Sequence, residues 1–218
     1  MENPYGSEPV PETHGRLIRW ASFYDRLTAV LFLGKEGAVR EATVGLANIQ
    51  KGDRVLDVGC GTGTLTRVAK RRAGEGGEVC GIDAAPEMID VATQKAREAG
   101  VEIEYHVGII EDLPFPNGSF DVVLSSLMLH HLPPDVKEAG FRELLRVLKP
   151  GGRFLAVDLT IPRFSIFDRV REHLHGHAST TRQTRPNEDM MRDAGFVNIE
   201  TEKMGFAVLE YYRGTSPS

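Results

Sequence analysis

Two carboxylates bracket a glycine-rich run in this chain. Asp57 stands just before Gly59-Cys60-Gly61-Thr62-Gly63, and Asp83 follows about twenty residues after the run. Glycines let a backbone turn sharply and leave no Cβ between it and a ligand. A helix opening behind them, marked by Leu65, Val68 and Ala69, would offer its first amides, which have no partner within the helix. Such a turn suits a nucleotide-type ligand, and its spacing narrows the choice. A phosphate-binding loop is excluded, because no G-K-[ST] follows the glycines. A dinucleotide fingerprint G-x-G-x-x-G needs glycine at its sixth place, where this chain has Thr64. The Asp57 carboxylate would repel a pyrophosphate and attract a ligand that carries positive charge. An acidic side chain at Asp83, at the tip of the second strand, can accept hydrogen bonds from ribose hydroxyls. These residues together fit an adenosine-containing ligand with a cationic part.

Other reactive residue types are sparse. His130-His131 follows an apolar strand, at the sheet edge where ligands bind in such folds. An imidazole there can act as a general base near neutrality; the alternative is a hydrogen-bonded loop histidine. Cys60 reads as a small filler, since no basic neighbour is present to activate a thiol. His173, His175 and His177 alternate in a polar segment with no accompanying carboxylate or cysteine pattern, so no metal is expected. No Ser/His/Asp or Cys/His arrangement suggests a covalent nucleophile.

The elements that position these residues follow from pattern. Residues 1–14 read as a flexible arm, polar and acidic with three prolines. Residues 15–50 carry amphipathic helical spacing from Leu17 through Leu31 and again from about Lys35 to Asn48. They read as an N-terminal helical segment that either packs on the core or closes a substrate pocket as a lid. Strands are expected near Val55–Val58, Glu78–Asp83, Val101–Val107, Phe120–Ser125 and Arg153–Asp158. Helices are expected to Ala73, over Pro86–Ala99 and over Pro134–Leu148, the last stopped by Lys149-Pro150-Gly151-Gly152. Strand–helix alternation predicts a parallel sheet with helices on both faces. Residues 160–186 have no clean period and read as a substrate-side insertion. A short helix over Asn187–Ala194 and strands near Val197–Thr201 and Lys203–Tyr212 complete the chain, the last two as an antiparallel hairpin.

Composition sets the outer limits. With 218 residues, 41% hydrophobic, the chain is long enough for one domain with a substantial core, here 15–218. A net charge of -5 argues against nucleic acid as a partner. Two cysteines without a disulfide framework, and no secretory signal or membrane-spanning run, point to a cytoplasmic protein with no integral membrane segment.

Four stretches occur in order: Val55-Leu56-Asp57-Val58-Gly59-Cys60-Gly61-Thr62-Gly63; Asp83-Ala84-Ala85-Pro86-Glu87-Met88; Leu113-Pro114-Phe115 with Phe120-Asp121-Val122-Val123; and Leu145-Arg146-Val147-Leu148-Lys149-Pro150-Gly151-Gly152. Over about Tyr24 to Asp158 the chain resembles the class I S-adenosylmethionine-dependent methyltransferases. Within them it most resembles the ubiquinone/menaquinone biosynthesis C-methyltransferases and related small-molecule methyltransferases. The resemblance implies an α/β, Rossmann-like, seven-stranded mostly parallel sheet with an antiparallel C-terminal hairpin. It implies S-adenosyl-L-methionine as cofactor. Gly59, Cys60, Gly61, Thr62 and Gly63 would lie at its methionine part, with Asp57 near the amino group. Asp83 would hold the ribose, with Ala84 beside it in the cofactor site, and Met88 would pack on the adenine. Where relatives place a polar contact to the adenine amine, this chain has Ile109, Ile110 and Glu111. Ser125, Ser126 and Leu127 would line the floor beneath the sulfonium. The acceptor would be a small, partly hydrophobic molecule (quinone-like, aromatic or lipid), walled by Tyr24, His130, Phe164 and Phe167. His130 and His131 are the candidate catalytic residues, and the protein would be a monomer or homodimer. A nicotinamide-dependent oxidoreductase and a non-catalytic S-adenosylmethionine-binding protein are the alternatives.

Overall fold

The structure, a computed structural model, describes residues 34–159, 185–206 and 208–218. The arm at 1–14, Tyr24, the three alternating histidines, Phe164 and Phe167 lie outside the described residues.

The described chain runs α1 (Glu36–Leu46), β1 (Arg54–Val58), α2 (Thr64–Ala73), β2 (Glu78–Asp83), α3 (Pro86–Glu98), β3 (Glu104–Val107) and β4 (Phe120–Ser126). A 3-10 turn (Leu129–His131) precedes α4 (Pro134–Val147), β5 (Leu148–Leu159), α5 (Asn187–Ala194), β6 (Val197–Lys203) and β7 (Leu209–Thr215). The strands form one seven-stranded sheet in the order β3-β2-β1-β4-β5-β7-β6. β1 to β5 pair in parallel, while β7 runs antiparallel to both β5 and β6. The expected architecture, including the terminal hairpin, is therefore present.

Central strands are buried on both faces, as helices on each side require. Val122, Val123 and Leu124 of β4 are all fully buried. On one face, Val39 and Val44 of α1 and Leu65, Val68 and Ala69 of α2 cover Val55, Val122 and Leu124. On the other, Phe141, Leu144 and Val147 of α4 with Met190 and Met191 of α5 cover Leu56, Val123 and Phe154. Residues 36–46 of the N-terminal helical segment thus pack into the core.

Several boundaries differ from the pattern reading. β3 is shorter than expected, because pairing with β2 starts at Glu104 opposite Cys80. α4 ends at Val147, one residue early, and β5 begins at Leu148. The segment Lys149-Pro150-Gly151-Gly152 reads as a stop, yet Leu148 pairs with Phe120 and the register slips before Arg153 pairs with Val122. The terminal strands also shift: β6 reaches Lys203 and β7 extends to Thr215.

Parallel registry aligns the strand ends that carry the site. Val58, Ser125 and Ala156 are neighbours across β1, β4 and β5. The C-terminal ends of β1, β2, β4 and β5 therefore open on one edge of the sheet, where α/β folds bind ligands.

Candidate functional site

The glycine turn is pinned to the neighbouring strand. The amides of Gly59 and Cys60 both donate to the Ile82 carbonyl, at 2.8 and 3.0 Å. The three turn glycines have positive φ, but their surroundings differ. A Cβ on Gly59 would lie 2.6 Å from Met128 Cγ, and one on Gly63 would lie 2.3 Å from Tyr105 Oη. A Cβ on Gly61 would meet nothing within 4 Å. Gly59 and Gly63 are thus closed by packing, while Gly61 faces open space.

Asp83 ties the same turn to the start of α3. Its carboxylate accepts from the Gly61 amide at 2.9 Å and from the Ala85 amide at 3.0 Å. Burial raises its pKa, against the lowering effect of these amides. Asp57 is 1% exposed and accepts a 2.7 Å bond from the Thr66 hydroxyl on α2. Burial is the largest cause that pushes its carboxyl up, to about 7. The nearby Asp83 carboxylate adds to this, while the Thr66 bond and the Arg40 charge oppose it. Two carboxylates therefore meet at one glycine turn whose Gly61 side is open, Asp83 bonded to the Gly61 amide and Asp57 buried beneath it with Arg40 as the cation whose charge reaches it. That arrangement fits a zwitterionic ligand bearing extra positive charge and two ribose hydroxyls. It does not fit a pyrophosphate.

Other site residues take distinct places. Thr62 is buried, and its carbonyl accepts from Arg67 at 3.2 Å. The Cys60 thiol is buried and its pKa is pushed well up, first by burial and then by Asp57 and Asp83. It is an inert filler of the turn. Met88 joins Ala85 and Val91 in a small apolar cluster separate from both main cores, next to Asp83 and Ala84. Ile109 and Ile110 are both buried; Ile110 packs with the α4-side core, where Gly140 leaves it room. Glu111 beside them is half-buried. The end of β4 is irregular: Leu127 has φ of +56°, and its amide donates to Val157. A non-glycine residue in this region stores strain, which recurs at ligand sites. Ser126 precedes it, half-buried. Ser125 is fully buried, and its Oγ has no hydrogen-bond partner among the described residues.

His130 and His131 sit in the 3-10 turn after β4, with ring centroids 3.8 Å apart. His130 Nδ1 lies 2.5 Å from Oδ1 of Asp158, at the end of β5. The His130 amide donates to Asp158 Oδ2 at 2.9 Å. Sequence reasoning missed Asp158, as well as Met128 and Tyr105, which fill the space beside the turn glycines. The partner of Asp158 lies 28 residues away, so no local signal marks it. Met128 and Tyr105 read as ordinary apolar positions.

Among the described residues, one group places three ligating atoms within 4.8 Å of one another: Cys80, Glu104 and His106, on β2 and β3. The Cys80 thiol is pushed up to about 12, chiefly by burial and next by Glu104, which disfavours the thiolate a metal needs.

With the site in view, similarity to known proteins decides the family. Residues 55–152 match the model of a methyltransferase domain. The ubiquinone/menaquinone biosynthesis C-methyltransferase UbiE of Cronobacter sakazakii is 30% identical, over 89% of this chain and 86% of that protein. The chain belongs to the class I S-adenosylmethionine-dependent methyltransferases. Solved members share the fold. Phosphoethanolamine N-methyltransferase 2 of Haemonchus contortus, solved with S-adenosyl-L-methionine, superposes with a TM-score of 0.68 at 18% identity, over 93% of this chain and 61% of that one. Geranyl diphosphate C-methyltransferase of Streptomyces coelicolor, in complex with S-adenosyl-L-homocysteine, gives 0.66 at 18% identity, over 83% and 76%. The cofactor of this methyltransferase is accordingly S-adenosyl-L-methionine. The oxidoreductase and the non-catalytic alternatives gain no support. Among the described residues no helix is long and apolar enough to cross a membrane.

Proposed function

We propose that this methyltransferase acts on a small, partly hydrophobic acceptor, a hydroquinone-like or other aromatic molecule being favoured over a lipid. The observation that carries the cofactor half of the reading is the convergence of Asp57, Asp83 and the open Gly61 on one turn. Asp57 would meet the ammonium of the amino-acid part, Asp83 the ribose, and Met88 the adenine. S-adenosylmethionine supplies an activated methyl group there. The protein's own task is then to orient the acceptor, exclude water and remove a proton where the acceptor must lose one.

His130 is suited to that last role. It stands at the strand edge beside the turn, and Asp158 holds its Nδ1 side. We assign it as general base, with His131 tilted against it at 46° as part of the acceptor wall. Half-buried Met128 and Leu132 contribute apolar surface on the same segment. Tyr24, Phe164 and Phe167 are proposed for the remaining wall on residue type, with the part of the 15–50 helical segment that precedes α1 as lid and 160–186 as substrate-side insertion. The similarity to proteins named for ubiquinone/menaquinone biosynthesis supports a quinone-like acceptor. The net charge of -5 supports a small molecule over nucleic acid. We take the protein to work in the cytoplasm, as a monomer or homodimer.

The test is methyl incorporation from labelled cofactor into a 1,4-naphthohydroquinone, a phenol, a primary amine and phospholipid vesicles. Incorporation into the hydroquinone or phenol is expected. Labelling of the amine or the vesicles alone would reject this acceptor class. With the accepted probe, His130→Gln should lower kcat by about 10²- to 10⁴-fold, the span of general-base contributions. An unchanged kcat would remove His130 from the chemistry.

A further inference from the structure

Asp158 closes β5 and is 3% exposed, although it carries a carboxylate. Three donors converge on it. Its Oδ2 accepts from the His130 amide at 2.9 Å. Its Oδ1 lies 2.5 Å from His130 Nδ1 and accepts from the Leu159 amide at 2.7 Å. A buried carboxylate persists only when it is this well provided with donors. Lys137 on α4 also feels its charge: burial lowers the Lys137 pKa, and Asp158 opposes that. Asp158 thus bonds both the main chain and the side chain of one residue. That double hold fixes the position of the 3-10 turn and the orientation of the ring together.

The chemistry of the pair sets the proton. An ionised carboxylate is acceptor-only, so the short contact to Oδ1 requires the proton on His130 Nδ1. In the neutral ring, Nε2 then carries the lone pair. We infer that Asp158 is a positioning residue. It selects the Nδ1–H tautomer of His130 and so presents Nε2 as the base, and its charge offsets the imidazolium once a proton is taken. The proton of the acceptor would move to Nε2, and the acceptor would keep the electron pair with which it bonds the methyl carbon while the carbon–sulfur bond breaks, its pair leaving on sulfur as S-adenosylhomocysteine. The inference rests on His130 serving as the base proposed above. It also deepens that reading, because a base poised this way is useful only for an acceptor that gives up a proton, such as a phenol or hydroquinone hydroxyl, in the course of methylation.

The test needs no acceptor, so its failure is distinct from a failure of methyl transfer. Long-range ¹⁵N–¹H correlation spectra of the full chain, labelled at histidine, report which ring nitrogen carries the proton. At about pH 8 ordinary imidazoles are neutral. The His130 signals are assigned by their loss in His130→Gln. A protonated Nδ1 and an unprotonated Nε2 are expected in the wild type, and a loss of that preference in Asp158→Ala. An Nε2–H ring in the wild type, or an unaltered tautomer in Asp158→Ala, would overturn the inference. The wild-type spectrum alone decides if Asp158→Ala does not fold. Calorimetric titration of Asp158→Asn with S-adenosylhomocysteine should give an affinity within about threefold of the wild type. Loss of that binding would instead assign Asp158 to the cofactor site and equally overturn the proposal.

Discussion

The Thr66 hydroxyl on α2 donates a 2.7 Å hydrogen bond to the Asp57 carboxylate at the end of β1. It stabilises a charge that burial opposes, and burial wins: Asp57 is pushed up from 3.8 to about 7. The folded chain therefore holds a proton that the unfolded chain has lost between about pH 4 and pH 7, so this group's contribution to stability falls as pH rises through that window.

A first prediction follows for the cofactor. An ammonium placed beside Asp57 needs the carboxylate ionised. Affinity for S-adenosylhomocysteine should fall about tenfold from pH 8 to pH 6, the change in ionised fraction of a group near 7. Calorimetry in buffers of different ionisation enthalpy should show proton release near pH 7, and Asp57→Asn should flatten the dependence. A flat wild-type profile would place the ammonium elsewhere.

The turn glycines should separate folding from binding. Alanine at Gly61 would strain the backbone by roughly 1–2 kcal/mol but meet no atom within 4 Å. Alanine at Gly63 would carry similar strain and also press against Tyr105 Oη at 2.3 Å and Ala92 Cβ at 3.0 Å. Such overpacking costs roughly 1–3 kcal/mol more. Thermal melts should therefore rank Gly63→Ala below Gly61→Ala. Gly61→Ala should lose the stabilising shift that S-adenosylhomocysteine gives the wild type, because its Cβ occupies the open side of the turn. Equal melts, or a retained shift in Gly61→Ala, would contradict the division of roles.

The difference between Gly61 and Gly63 also marks how far the sequence speaks. The turn, the alternation of strands and helices and the acidic tip of β2 are local patterns, and each is where the spacing places it. What joins the motifs is not local. Lys149 of the last motif bonds Asp121 of the third at 2.7 and 2.8 Å, and Asp121 accepts from the amide of Arg54, just before the first. In the sequence these are three unrelated polar residues. Asp158 likewise reads as a strand end, and becomes the partner of His130 only when β4 and β5 lie side by side. Side chains whose partners are set by sheet pairing carry no periodic signal.

Asp83 should be sensitive to both of its bonds. Asp83→Ala leaves the Gly61 and Ala85 amides without their acceptor and removes the proposed ribose contacts. Hydrogen bonds to charged groups contribute about 1.5–3 kcal/mol each, so affinity for S-adenosylhomocysteine should fall at least tenfold. Calorimetric titration measures this directly. Affinity equal to the wild type would separate Asp83 from the ribose.

Arg146 on α4 ties the Leu113-Pro114-Phe115 loop to the helix. Its guanidinium donates to the carbonyls of Leu113 and Phe115 at 2.8 and 2.7 Å, to Asn117 at 2.9 Å, and to both oxygens of Glu143 at 2.7 Å. Glu143 in turn accepts from the Leu113 amide at 2.8 Å. Burial alone would raise the Glu143 pKa, but the Arg146 bonds and the Leu113 amide outweigh it and hold the carboxyl below its usual range. A depressed carboxylate contributes stability that is present above its unfolded value and lost as pH falls through its folded one. Arg146→Ala should therefore destabilise the protein by about 1–3 kcal/mol at neutral pH, at the lower end of buried-pair losses because both partners are partly exposed. It should also lose less stability than the wild type on going from pH 6 to pH 3, since Glu143 no longer carries a depressed pKa. Denaturant melts at the two pH values test both points, and an acid dependence equal to the wild type's would show that the Glu143 charge is held by other groups.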